Sequence, residues 1–194
     1  SEFYTEANYG NYIIELFRDM GYTHVYGPDI DRDFYNPLYE EELIDALYRL
    51  NSSMPEEAIT DVLHKLKNYE NSELIQKNAV FMDYIQHGIE VRYFKNGEEH
   101  SGIVYLVDYK NTDNNSYMIA NQWTFIENSK KRPDILIFIN GIPVVLVELK
   151  SPSREETDAS EAYLQIRNYM QEIPAIFIYN CICVLSDQST SRAG

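Results

Sequence analysis

Residues Arg132 to Lys150 read RPDILIFINGIPVVLVELK, and the organisation of the chain follows from them. Ile135–Ile139 and Val144–Leu149 are rich in β-branched residues and bounded by turn chemistry, which predicts two strands. Asn140-Gly141 between them predicts a tight hairpin, because both residues tolerate positive φ. With the turn centred near Gly141, Asp134 falls opposite Glu148 to within one residue of register. Side chains alternate along a strand, so Glu148 and Lys150 share a face while Leu149 points away. No residue between Asp134 and Glu148 is charged. Neither run alternates in polarity, as expected of strands covered on both faces.

Acids at the end of a buried hairpin need compensation. Two adjacent carboxylates repel and are costly to desolvate. A divalent cation resolves that repulsion: Mg²⁺ prefers oxygen ligands, keeps several waters and takes one or two carboxylates. Asp134 and Glu148 are the expected metal ligands, with the Leu149 backbone carbonyl as a third protein oxygen. Lys150 is placed to orient or deprotonate an attacking water, or to neutralise charge on a phosphate. The competing reading of the same residues is an ion pair, with Lys150 bridging both acids to solvate a strand end.

Downstream, Ser151-Pro152 ends the strand, since proline cannot continue a central ladder. Asp158 followed by Glu161 has the form of a capping box. The helix it opens carries Ala162, Leu164, Ile166 and Tyr169 and is expected to stop at Ile173-Pro174. Gln165 and Tyr169 stand four apart on one helical face. A neutral amide and a phenol there can steady the carboxylates or a phosphate.

Asp134…Glu148-Leu149-Lys150 followed by Gln165-Ile166-Arg167-Asn168-Tyr169 resembles the PD-(D/E)xK nuclease superfamily in its RecB-like branch. With Asn121-Gln122, Arg132-Pro133-Asp134-Ile135 and Asn140-Gly141-Ile142-Pro143, the chain resembles more narrowly the amino-terminal domain of the R (HsdR) subunit of type I restriction enzymes. Gly21-Tyr22, Asn78, Gly88, Leu106 to Tyr109, Tyr179-Asn180, Ser186-Asp187 and Ala193-Gly194 fit the same pattern, so the resemblance spans nearly the whole chain.

The resemblance implies an α/β (α+β) fold of restriction-endonuclease type, with a mixed central sheet flanked by helices. It implies DNA phosphodiester hydrolysis dependent on Mg²⁺, or on Mn²⁺. Asp134 and Glu148 would be the metal ligands, Lys150 the catalytic lysine, and Gln165 and Tyr169 the accessory pair. Family members often carry an acid on the first helix, at a position that falls near Gly10; Glu6, one turn earlier, is the expected substitute. Double-stranded DNA would be the substrate. The M and S subunits would be partners through a longer R subunit. There is no G-x-x-x-x-G-K-[ST] phosphate loop, so ATP is expected only at motor domains outside these residues. The alternative is a catalytically silent module that docks motor or methylation subunits. An acidic DNA mimic ranks last, because the acids cluster locally, as at Glu40-Glu41-Glu42 and Glu155-Glu156.

The 194 residues predict one domain, mainly helical over 1–88 and with the sheet and catalytic core over 89–194. A net charge of −15 opposes DNA binding, which phosphate neutralisation dominates. Lys130-Lys131-Arg132, with Arg154 and Arg167, offers a modest basic rim. No apolar run approaches the ~20 residues that span a bilayer, and the opening SEFYTEANYG lacks a secretory pattern, so a cytoplasmic location is expected, and the resemblance implies a bacterial one. Cys181 and Cys183 alternate on an apolar strand and are expected to be buried in a reducing compartment. The histidines His24, His64, His87 and His100 lack ligand spacing. Elsewhere, helices are predicted over Tyr4–Met20, Glu40–Leu50 and Pro55–Leu66. Strands are predicted over Ile89–Phe94, Gly102–Tyr109, Tyr117–Thr124, Ala175–Tyr179 and Ile182–Leu185.

Overall fold

A computed structural model describes residues 6–149 and 159–186. In chain order the elements are α1 (Glu6–Asp19), β1 (Thr23–Tyr26), α2 (Glu40–Leu50), α3 (Glu56–Lys67), α4 (Leu74–His87), β2 (Ile89–Lys95), β3 (Glu98–Val104), β4 (Tyr117–Asn121), β5 (Phe125–Ile126), β6 (Lys130–Lys131), β7 (Ile135–Ile139), β8 (Ile142–Leu149), α5 (Ala159–Glu172), α6 (Pro174–Ile178) and β9 (Ile182–Ser186). The chain forms two compact units. One comprises Ser1–Pro37, Tyr117–Phe138 and Pro143–Gly194, and the other Leu38–Ser116 with Ile139–Ile142.

The first unit is built on a mixed sheet of order β1-β4-β7-β8-β9. β1 runs parallel to β4, and β8 parallel to β9. Parallel neighbours need a long crossover. Between β8 and β9 it contains α5 and α6. Between β1 and β4 the chain passes through residues 38–116 of the second unit. β7 and β8 are joined by the expected tight turn: Asn140 has φ 51° and Gly141 φ 76°, the two positive values of a type I′ hairpin.

Along β7, Ile135 to Phe138 are all buried, so the unalternating pattern does mark a strand covered on both faces. Ile14 of α1 packs with Ile119, Ile135, Ile137 and Val147, and Ile13, Phe17 and Leu149 join that cluster. Burying each such aliphatic side chain contributes roughly 1.5–3 kcal/mol. α5 supplies the spaced set Ala162, Ile166 and Tyr169, and Ile173 follows directly after the helix; all four are buried. This is an α/β architecture with a mixed sheet and helices, as restriction-endonuclease-like folds have.

The second unit holds α2, α3, α4 and the hairpin β2–β3, whose turn at Asn96 (φ 54°) and Gly97 (φ 78°) is again of the doubly positive kind. Its core includes Leu43, Leu47, Ile59, Leu66, Phe81 and Val104. Asn140 is fully buried here. It donates to the Leu106 carbonyl (2.9 Å) and Asn115 Oδ1 (2.9 Å), and accepts from the Ser116 N–H (2.7 Å).

Several elements depart from the expectation. The strand predicted over Gly102–Tyr109 lies instead at Glu98–Val104, directly after its turn. The ladder stops because Asn51 takes over at Tyr105: its Oδ1 accepts the Tyr105 N–H (2.8 Å) and its Nδ2 donates to the carbonyl (2.9 Å). Ala175–Tyr179, predicted as a strand, is the short helix α6 with Pro174 in its first turn. Five apolar residues do not distinguish strand from buried helix, and a proline with preset φ favours the helix. Cys181 and Cys183 are exposed rather than buried. β9 pairs only with β8 among the described residues, so its side chains are open. The capping residue Asp158 and the rim residue Arg154 lie outside the described residues.

Candidate active site

Asp134 stands immediately before β7 and Glu148 is the penultimate residue of β8, so the hairpin brings them to one end of the sheet. Asp134 Oδ2 accepts the backbone N–H of Leu149 at 2.7 Å. The two carboxyl groups lie within hydrogen-bonding reach of one another. From α5, the Tyr169 hydroxyl donates to Glu148 Oε1 at 3.3 Å. Gln165, one turn earlier, hydrogen-bonds the Tyr169 side chain. Asp134, Glu148, Gln165 and Tyr169 are thus drawn together from three elements.

Glu148 is only 7% exposed, and its Oε2 is buried without a hydrogen-bond partner among the described residues. Burial, then the neighbouring charge of Asp134, pushes the Glu148 carboxyl up to about 8 from an ordinary value of 4.5. Burial also raises Asp134, though the Leu149 N–H opposes this. The Tyr169 phenol is raised strongly, first by burial and then by the Glu148 charge, so it remains a proton donor to the carboxylate. Acids so disposed favour a bound proton or a bound cation.

This donor set fits a hard divalent ion. Glu148 offers an oxygen that no donor among the described residues satisfies. Mg²⁺ takes one or two carboxylates and completes its shell with water. Among the described residues no third acid, histidine or cysteine joins the pair, so these residues would offer such an ion two carboxylates and backbone oxygens.

A cleft of about 350 Å³ opens on Asp134 and is lined by Gly10, Asn11 and Ile14 of α1, with Asn121, Gln122, Ile135 and Leu149. The expected fourth-acid position, Gly10, therefore does lie at the cleft, but as a glycine. A Cβ there would stand 3.2 Å from Leu149 Cδ1. Glu6 opens α1; its side chain lies outside what is described, as does all of Lys150. The Leu149 side chain packs in the α1-facing cluster, on the opposite strand face from Glu148.

Gln122, a residue of the cleft wall, is tied to Arg132 by a side-chain contact that the sequence does not signal. Gln122 adopts φ 55°, unusual for a residue with a long side chain. Arg132 Nη1 donates to Gln122 Oε1 at 2.6 Å, and its Nε to Thr124 Oγ1 at 3.4 Å. His24 pairs with Asn121 Oδ1 at 2.8 Å, so this histidine is a structural partner of the rim.

Residues 3–194 match the model of the family described as Type I restriction enzyme R protein N terminus. The chain belongs to that family. It is 31% identical over 191 residues to the type I restriction enzyme HindI endonuclease subunit of Haemophilus influenzae, covering 93% of this chain and 18% of that one. A chain of Methanocaldococcus jannaschii, provisionally named the MjaIXP type I restriction enzyme endonuclease subunit, is 28% identical over 194 residues, covering 95% of this chain and 18% of its own length. The R-protein N-terminal sequence here thus spans about a fifth of these relatives. The family match contains every residue of the site just described, and Lys150 with them.

Proposed function

We propose that this chain is the nuclease module of a type I restriction enzyme R subunit, hydrolysing phosphodiester bonds of double-stranded DNA with Mg²⁺ or Mn²⁺. The reading is carried by the Asp134–Glu148 pair: two desolvated acids, one with an undonated buried oxygen, facing each other beside a cleft. When bound, the metal would supply Lewis-acid polarisation of the phosphoryl oxygen and a more acidic water. Asp134 is held in position for it by the Leu149 N–H, and Glu148 by the Tyr169 hydroxyl. Gln165 keeps the Tyr169 phenol directed at Glu148. Lys150, third in the motif, moves a proton at the attacking oxygen or balances charge on the phosphate. The Leu149 carbonyl and Glu6 are further oxygen donors in this reading.

With a net charge of −15, the module does not grip DNA by overall electrostatics. The lengths of the relatives leave room for that grip elsewhere. On this reading the longer subunit supplies ATP-driven motor domains and joins M and S subunits in the bacterial cytoplasm. No helix among the described residues is long and apolar enough to cross a membrane.

The test is cleavage of plasmid DNA by the enzyme assembled with this subunit, alongside calorimetric titration of Mg²⁺ and Mn²⁺. Lys150→Ala should abolish cleavage and retain metal binding, whereas Asp134→Asn should lose both. Undiminished nicking by Lys150→Ala ends the assignment. A chain that binds neither ion is a silent docking module instead.

A further inference from the structure

Arg132 differs from the other described arginines in its company. Arg18, Arg49 and Arg92 each pair with a carboxylate, at Glu15, Asp45 and Glu99. Arg32 stacks on Trp123 with its guanidinium 3.9 Å from the ring centroid, and Arg167 lies over Tyr163. Arg132 is exposed and held by two neutral side chains, Gln122 and Thr124, with no carboxylate partner among the described residues. In a chain so rich in acids, an arginine fixed only by neutral acceptors keeps its charge and most of its fork of donors for an outside anion.

Gln122 is the second half of the arrangement. Its Oε1 is occupied by Arg132, which leaves the amide Nε2 as a donor, and the residue lines the same cleft as Asp134. The backbone there is clamped: a Cβ on Gly27 would sit 2.1 Å from the Gln122 carbonyl oxygen. Holding a non-glycine residue at positive φ costs conformational energy, and such strain persists where surrounding structure fixes it. Thr124, 7% exposed, anchors Arg132, accepting from it at Oγ1 and from Arg32 at its carbonyl.

We infer that Arg132 and Gln122 form a phosphate clamp, which binds a backbone phosphate next to the scissile one and sets the register of the DNA strand over Asp134. Arg132 supplies charge and forked donors; Gln122 supplies an amide donor at the cleft wall. This inference rests on the nuclease reading above and deepens it, because it names a contact to the non-scissile backbone that carries no sequence information.

The experiment measures binding of a short fluorescent duplex to the full chain in Mg²⁺ across a salt series, with Mg²⁺ affinity measured separately. Arg132→Gln should weaken the duplex about tenfold and lower the salt slope by roughly one, the loss of one neutralised phosphate. Mg²⁺ affinity should stay within twofold of wild type. Gln122→Ala should weaken the duplex too, and the double variant should lose less than the product of the singles, since the residues act as a unit. Arg132→Lys should restore the salt slope but only part of the affinity; it carries the test if Arg132→Gln fails to fold. Unchanged duplex affinity in these variants, or Mg²⁺ affinity falling in parallel, overturns the clamp while leaving the nuclease reading intact. A wild-type chain that binds Mg²⁺ but no duplex overturns the clamp alone, and one that binds neither overturns both readings.

Discussion

Replacing Glu148 with glutamine should stabilise the metal-free protein at alkaline pH, and the size of the gain follows from the site. The Glu148 carboxyl rises from 4.5 to about 8 on folding. Between those values the folded state holds a proton that the unfolded state has released, so stability falls as pH rises. The favourable contribution is complete below about pH 4.5 and is gone above about pH 8. At 1.36 kcal/mol per unit, the loss reaches about 4–5 kcal/mol, shared with Asp134, whose carboxyl is also raised.

Glutamine preserves the shape and titrates nowhere in that window. The difference between the melting temperatures of the two proteins should therefore widen with pH, by roughly 10 °C from pH 5 to pH 8.5, at about 2–4 °C per kcal/mol for a chain of this size. The single tryptophan, Trp123, is 1% exposed and lies in the unit that carries the site, so its fluorescence reports the relevant unfolding. Chelator should maximise the difference. Millimolar Mg²⁺ should stabilise the wild type at high pH and leave Glu148→Gln little changed, because a ligand stabilises only the state that binds it. Parallel pH profiles for the two proteins in chelator would refute the claim that burial beside the Asp134 charge raises the Glu148 carboxyl.

Three further outcomes follow from the geometry. Tyr169→Phe removes the hydroxyl that donates to Glu148 Oε1; it should cost about 1–3 kcal/mol at pH 8 by Trp123 fluorescence and reduce Mg²⁺-dependent cleavage roughly 10–100-fold. Asn140→Ala deletes three hydrogen bonds in the second unit, two of them buried, and should cost about 2–4 kcal/mol in denaturant unfolding followed by circular dichroism. Gly141→Ala and Gly97→Ala should separate strain from collision. Both glycines have positive φ, but a Cβ at Gly141 meets the Tyr39 carbonyl oxygen at 2.4 Å, whereas one at Gly97 meets nothing within 4 Å. Gly97→Ala should cost about 1–2 kcal/mol and Gly141→Ala clearly more, in the same unfolding assay.

The hairpin from Asp134 to Glu148 was legible because its determinants are local. Asn140-Gly141 accepts positive φ, and the residues on either side favour strands. Period-two alternation then dictates which charges share a face. The spacing of Gln165 and Tyr169 was equally local, since residues four apart on a helix must share a side. The end of β3 was not legible, because a side chain 54 positions away, Asn51, supplies the hydrogen bonds that replace the ladder at Tyr105. Nor was α6, whose apolar residues serve a strand and a buried helix equally well.

Sequence alone determined that two acids would end one hairpin and that a Gln-x-x-x-Tyr helix would follow, since backbone periodicity sets such relations over a few residues. Tertiary structure decided that the Tyr169 hydroxyl meets Glu148, that Gly10 faces the cleft beside Asp134, and that Gln122 is held at positive φ against Gly27 and tied to Arg132. It also decided how strongly the acids hold protons, because desolvation comes from side chains brought in by distant segments, and no local pattern encodes it.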